Sequence, residues 1–270
     1  MSSKNIWKTS VSIFAGDFCR ERMKELAESG INHIEFTGSN YTAFEDFLKN
    51  SDTIFNTAKE EGVTIRSIHL PFAPFSEIDP ASPDSAVRDR FIDVLRPIVE
   101  AAGKCGIEIA IIHPSGEPYK EEKRAEHMAW AIDSLKKLQK IINDNGMKLA
   151  IENLPRTCLG RNCADMKTIL DAIPDAYACF DSNHSLTDSN IDLIKTMGNR
   201  IIATHISDYD FIDERHLFPG EGKNGWQGII SALEEVGYEG TWNYEIAGSN
   251  NFAASVYKEN HNKLLSGEIK

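Results

Sequence analysis

A chain of 270 residues with 41% hydrophobic content is long enough for one large α/β domain or two small ones. Its formal net charge of −12 disfavours nucleic acid as a partner and offers no general basic surface, and no run approaches transmembrane length, which argues against a membrane. The five cysteines (Cys19, Cys105, Cys158, Cys163 and Cys179) form no CxxC pair and no disulfide framework, and "MSSKNIWKTS" lacks an apolar signal core; both fit a reducing cytoplasm.

Short apolar, β-branched runs recur along the chain with amphipathic stretches between them. The predicted strands are 9–14 (TSVSIF), 33–38 (HIEFTG), 64–70 (TIRSIHL) and 107–114 (IEIAIIHP). Four more follow at 148–154 (KLAIENL), 177–182 (YACFDS), 201–207 (IIATHIS) and 241–247 (TWNYEIA). Helical spacing of apolar residues marks 83–106, ending at Gly106, and 121–146, with Gly146 as its C-cap. A shorter helix is expected within 225–240 and another within 251–267. Eight strands alternating with helices predict a single-domain (β/α)₈ TIM barrel over residues 1–270. A doubly wound open sheet is the alternative, but no GxGxxG turn follows the first strand.

In such a barrel the chemistry lies at the C-terminal ends of the strands. Glu35, His69, His113, Glu152, Asp181, His205 and Glu245 all fall at predicted strand ends, with His184 just beyond Asp181. A lone histidine or glutamate at a strand end is ordinarily a solvated or structurally satisfied residue. Seven of eight strands ending this way is hard to explain by solvation. Carboxylates converging without a cation repel, and a divalent metal is the simplest way to stabilise them. His33, His127 and His261 fall elsewhere and read as structural or surface residues. The stretch "HISDYDFIDERHLFPGEGKNGW" (205–226) adds Glu214, Arg215 and His216 around a Gly-Pro turn, whose amides near Gly220 and Gly222 could form an anion nest. Phe72, Phe75, Trp226 and Trp242 lie near predicted strand ends or rim loops, where they could stack on a ligand; core packing is the commoner fate of such residues.

The chain resembles the sugar phosphate isomerase/epimerase superfamily, the xylose isomerase-like TIM barrels related to endonuclease IV. The resemblance rests on the order Glu, Asp, His, Glu at strands five to eight: Glu152 in IENLP, Asp181 in DSNHS, His205 in THISD and Glu245 in YEIAG. It implies that these four bind one divalent metal and that Glu152 and Glu245 also transfer protons. An oxygen-rich donor set suits Mn²⁺ best, with Mg²⁺, Co²⁺ or Zn²⁺ as alternatives. The implied activity is isomerisation or epimerisation of a ketose or keto-sugar through a metal-stabilised enediolate. His69, His113, His184, Arg215 and His216 are then expected to bind the sugar, and a homo-oligomer is compatible with this family. The extra histidines, with Glu152, Asp181, Glu214 and Glu245, can also be laid on the larger ligand set of endonuclease IV-like multi-zinc phosphodiesterases. There, however, Glu214 replaces an aspartate and Asn183 a cysteine. A noncatalytic sugar-binding barrel is the third alternative.

Overall fold

The computed structural model describes residues 7–270. Eight strands alternate with eight helices along the described chain. They are β1 (Lys8–Phe14), α1 (Arg20–Glu28), β2 (His33–Thr37), α2 (Glu45–Glu60), β3 (Thr64–His69), α3 (Ser85–Lys104), β4 (Ile109–Ile112) and α4 (Arg124–Asp144). The second half continues with β5 (Lys148–Glu152), α5 (Cys163–Ala172), β6 (Tyr177–Asp181), α6 (Asn190–Met197), β7 (Ile201–His205), α7 (Trp226–Glu235), β8 (Thr241–Tyr244) and α8 (Ala254–Ser266). All neighbouring strands pair in parallel in the order β7-β6-β5-β4-β3-β2-β1-β8. The seam between β7 and β8 is bridged just past their ends, where Ile206 N–H donates to the Asn243 carbonyl (2.8 Å) and Glu245 N–H to Ile206 (3.2 Å). This is a nearly closed, single-domain (β/α)₈ barrel.

The alternation of side chains along each strand sorts residues into two layers. Val11, Ile13, Ile34, Phe36, Ala110, Ile112, Leu149, Ile151, Ala178 and Phe180 belong to the large core shared with the helices. Ile109, Ile111, Ala150, Cys179 and Ala203, on the opposite parity, form a separate small cluster inside the barrel. Two residues further along each of these strands come His113, Glu152, Asp181 and His205. The polar cluster is therefore the next inward layer, resting on an apolar floor. Gly106 and Gly146 end α3 and α4 with φ of +82° and +74°, a conformation that favours glycine.

Trp226 and Trp242 take core positions and not the rim: both are buried, and Trp242 stacks on Trp7 with centroids 5.4 Å apart beside the N-terminal ends of β1 and β8. His127 and His261 are buried structural residues; His127 Nδ1 meets the Ala81 carbonyl at 2.6 Å.

Candidate metal centre and cavity

Glu152, Asp181, His205 and Glu245 converge at the mouth of the barrel, each offering one ligand atom, all within 4.8 Å of one another. The first three terminate β5, β6 and β7, and Glu245 follows the last residue of β8. Asp181 is fixed from several sides: its N–H donates to Asn153 Oδ1 (2.8 Å), Asn153 Nδ2 donates to its carbonyl (3.0 Å), and the Asn183 N–H donates to Oδ1 (2.5 Å). Its Oδ2 is buried and accepts nothing, and His205 Nδ1 is likewise buried without a hydrogen bond. Orphaned polar atoms are costly in a protein interior, and a cation between them would satisfy both.

The histidines are oriented as metal-site histidines commonly are, with one ring nitrogen tied down and the other facing the carboxylates. His205 Nε2 lies 3.0 Å from Glu35 Oε1, which leaves Nδ1 toward Glu152, Glu245 and Asp181 at 3.2, 3.4 and 3.8 Å. His69 Nδ1 meets the Leu70 carbonyl (2.9 Å) and directs Nε2 at Glu152 Oε2 (3.0 Å). His184 Nδ1 meets the Asn153 carbonyl (2.8 Å), and His216 Nδ1 the Glu245 carbonyl (3.2 Å). In the neutral rings these partners fix which nitrogen carries the proton, so that the other can ligate once the ring is deprotonated. The residues present therefore fit a divalent cation. Two further groups of possible ligands, His69–His113–Glu152 and His184–Glu214–His216, adjoin the quartet, and a third, Glu152–Cys179–His205, overlaps it.

Burial and close pairing shift the protonation of these groups. Burial alone would depress His184, but Asp181, Glu152 and Glu214 lift it to about 10. Burial would likewise depress His205, yet the facing groups, Glu245, Glu152 and Glu35 among them, hold it well above the usual imidazole range. Burial raises the Asp181 carboxyl to about 7, even against the pull of His184. Glu152 would be raised by burial too, but His205 and His113 hold it well below the usual carboxylate range. His113 is pushed down, chiefly by burial.

A cavity of about 140 Å³ opens over the cluster. Glu152 and Glu245 lie in its floor, His113, His184 and His216 in its sides, and Phe72 and Phe75 form an apolar wall. His69 was expected to bind the ligand directly, but it is buried behind Glu152 and outside the lining. Arg215, also expected to bind the ligand, has its Nε donating to Asp210 Oδ2 (2.8 Å) with nearly half of its side chain in solvent, and it is not among the residues lining the cavity. The cation that does line it is Arg156, in the loop after β5. Glu35 lies in the middle of β2 rather than at its end, accepting from Ser12 Oγ (3.1 Å) and Ser67 Oγ (2.8 Å) behind His205.

The Gly-Pro turn is organised by the chain's own anion. The buried Asp208 carboxylate accepts from the backbone of Tyr209 (2.9 Å), Gly220 (2.9 Å) and Asn224 (3.0 Å) and from Trp226 Nε1 (3.0 Å). The amide of Gly220 is thereby taken, which leaves the expected anion nest filled. A Cβ on Gly222 would stand 2.5 Å from the Tyr209 carbonyl, so only glycine lets the turn close over Asp208. This turn sets Glu214 and His216 over the cavity.

Residues 23–266 match the xylose isomerase-like TIM barrels, and the chain belongs to that family. Among solved structures it is similar to a D-tagatose 3-epimerase-like protein, with 25% identity and a TM-score of 0.80 over 96% of this chain and 97% of that one. The fold is also that of a D-psicose 3-epimerase solved in the presence of D-fructose (18% identity, TM-score 0.77, 96% and 97% covered). A 3-keto-D-glucoside 4-epimerase from E. coli shares it too (17% identity, TM-score 0.75, 96% and 99% covered). A curated relative, the uncharacterised protein MJ1311 of Methanocaldococcus jannaschii, is 29% identical over 185 residues, which are 64% of this chain and 62% of that protein. The matched region thus spans less than two thirds of that relative. Among the described residues no helix is long and apolar enough to cross a membrane.

Proposed function

We propose that the protein is a divalent-metal-dependent sugar isomerase or epimerase that moves a proton at the carbon beside a carbonyl. One observation carries this reading: Glu152 and Glu245 flank the orphaned Asp181 Oδ2 and His205 Nδ1, and both open onto the same cavity. A bound Mn²⁺, Mg²⁺, Co²⁺ or Zn²⁺ would polarise the carbonyl and offset the negative charge that develops when the proton leaves. Glu152, Asp181, His205 and Glu245 would hold it.

The remaining work falls to side chains of the chain itself. Glu152 and Glu245 come from strands on either side of the β6–β7 pair, so they approach a bound sugar from different directions. One removes the proton, and the other delivers one to the opposite face or to the neighbouring carbon. Both are held ionised: burial would raise each, but the imidazoles around them, His205 foremost, lower both. His113, His184 and His216 are positioned to hydrogen-bond hydroxyls, and Phe72 and Phe75 to cover a sugar face and exclude water. The D-tagatose 3-epimerase-like protein and the psicose and keto-glucoside epimerases named above support this reaction class.

Turnover in D₂O tests the reading. Deuterium should enter the sugar at the carbon beside the carbonyl, whereas a hydrolase would leave carbon-bound hydrogens alone. A protein that holds metal and binds sugar but exchanges no proton and forms no isomer would be a noncatalytic sugar-binding barrel.

The two adjoining ligand groups favour a second reading, a polynuclear phosphodiesterase like endonuclease IV. Electrostatics oppose it. A nucleic-acid strand is held by cations along its phosphates. Here the rim carries Glu117, Asp213 and Glu214 around a single arginine. Cleavage of abasic DNA that weakens steeply with salt would decide for this second reading.

A further inference from the structure

Of the four groups of possible ligands at the mouth of the barrel, one already faces a fixed positive charge. Arg156 follows β5 in the left-handed backbone region, with φ of +50°, a conformation unusual for a residue with a side chain. Its guanidinium binds the loops after two other strands. Nε donates to Glu117 Oε1 (3.0 Å) and Oε2 (3.1 Å), and Nη1 reaches Asp213 Oδ1 (2.8 Å) and Glu214 Oε1 (2.9 Å). Glu214 Oε1 is the same oxygen that faces His184 Nε2 at 3.6 Å, while Oε2 faces His216 Nε2 at 4.0 Å. The carboxylate at the centre of the His184–Glu214–His216 group is therefore shared with an arginine, a residue charged at every accessible pH. No equivalent cation touches the His69–His113–Glu152 group or the quartet among the contacts of the described residues.

We infer that Arg156 is a built-in cation that takes the place of a metal ion in the His184–Glu214–His216 corner. The guanidinium neutralises Glu214 there, and it keeps His184 and His216 free to hydrogen-bond an uncharged ligand. A divalent ion at Glu214 would have to compete with the guanidinium for the same carboxylate oxygen, and the two like charges would share that one side chain. The same pairing leaves the cavity without a spare cation for a phosphate group, because Arg156 is opposed by Glu117, Asp213 and Glu214. The inference rests on the metal-site reading of the cavity and not on the identity of the reaction.

Zinc counting tests it. Wild type, His216→Ala, Arg156→Gln and Arg156→Gln/His216→Ala are stripped with chelator, equilibrated with Zn²⁺, desalted and analysed for zinc per chain. His216→Ala alone should leave the wild-type count unchanged. Arg156→Gln should gain one ion, and adding His216→Ala should remove that gain. A lower count in the His216→Ala single variant would overturn the inference, because it would show an ion already at that corner. So would an unchanged count in folded Arg156→Gln, checked by circular dichroism. The single-variant arm does not depend on Arg156→Gln folding. Solvent deuterium exchange is measured separately on the same wild-type preparation. If exchange fails while the zinc counts behave as expected, the epimerase reading falls and the role of Arg156 stands.

Discussion

Replacing Glu35 by glutamine probes how the candidate metal centre is held. Glu35 is 1% exposed and accepts from His205 Nε2, Ser12 Oγ and Ser67 Oγ at 3.0, 3.1 and 2.8 Å. Ser12 Oγ accepts in turn from Asn243 Nδ2 (2.9 Å), so the carboxylate sits at the end of a short buried chain. Glutamine keeps the volume. Its carbonyl oxygen can still face His205, and its amide can donate to a rotated Ser67 hydroxyl. What disappears is the charge that holds Nε2 protonated and makes Nδ1 a better donor. Outer carboxylates of this kind are typically worth ~10–100-fold in metal affinity, and Glu35→Gln should lose that much. The cost to the metal-free fold should stay near ~1–2 kcal/mol, the difference between a charged and a neutral hydrogen bond. Glu35→Ala is harsher, because it strands buried donors at ~1–3 kcal/mol each. The assay is competition for Zn²⁺ or Mn²⁺ against a chromophoric chelator, with melting curves of the stripped proteins alongside. Wild-type affinity in folded Glu35→Gln would refute the argument that Glu35 orients His205 for a metal.

Glu152→Gln and Glu245→Gln should each lower turnover by ~10²–10⁴-fold while the fold survives, measured by isomer formation and by deuterium uptake; full activity in both would remove proton transfer by this pair. Metal affinity should fall with acidity. His205, held protonated above the usual imidazole range, and Asp181, raised to about 7, must both lose protons before they ligate. Binding near pH 6 should therefore release more protons than binding near pH 9, which calorimetry in buffers of different ionisation enthalpy will count. His261 gives a signal independent of the metal. Burial, with Lys258 adding to it, depresses His261 to about 4 from an ordinary 6.5, so the folded state favours the neutral ring. The stability this provides is complete above pH 6.5 and is lost as pH falls toward 4, by up to ~3 kcal/mol. Denaturation of His261→Phe across that range should show a shallower slope than wild type.

The barrel, and the convergence of Glu152, Asp181, His205 and Glu245 at its mouth, were legible in the sequence because polar residues stand where the apolar strand runs stop. An apolar inward residue such as Ala150, Cys179 or Ala203 is followed two positions on by Glu152, Asp181 or His205, and a strand end is visible as the point where apolar character stops. Arg156 was not legible. Its partners Glu117 and Asp213 lie 39 and 57 residues away, and only the ring order of the strands brings those loops together. Arg215, beside His216 in the sequence, looked like the better ligand-binding cation, but a nearby aspartate, Asp210, holds it in solvent. Glu35 was visible as a strand residue, yet its role depends on facing His205 across the barrel interior, 170 positions along the chain. The position of Trp242 was not legible, because an aromatic residue in a terminal strand carries no mark of which end of the barrel it occupies.

The seam between β7 and β8 bears on how the ring opens. Elsewhere each strand is joined to its neighbours by an extended ladder; here the bridge is Ile206 to Tyr244, beside His205 on one edge and Glu245 on the other. A ring comes apart first at its weakest joint, and this one has candidate ligands on both lips. An ion held by His205 and Glu245 would act as a buckle, so that the barrel could not gape without first letting the ion go. The backbone amides of Ile206 and Glu245, which close the seam, would then exchange with solvent slowly in the loaded protein and quickly after chelation. Metal would govern how often the barrel breathes as well as what chemistry it performs.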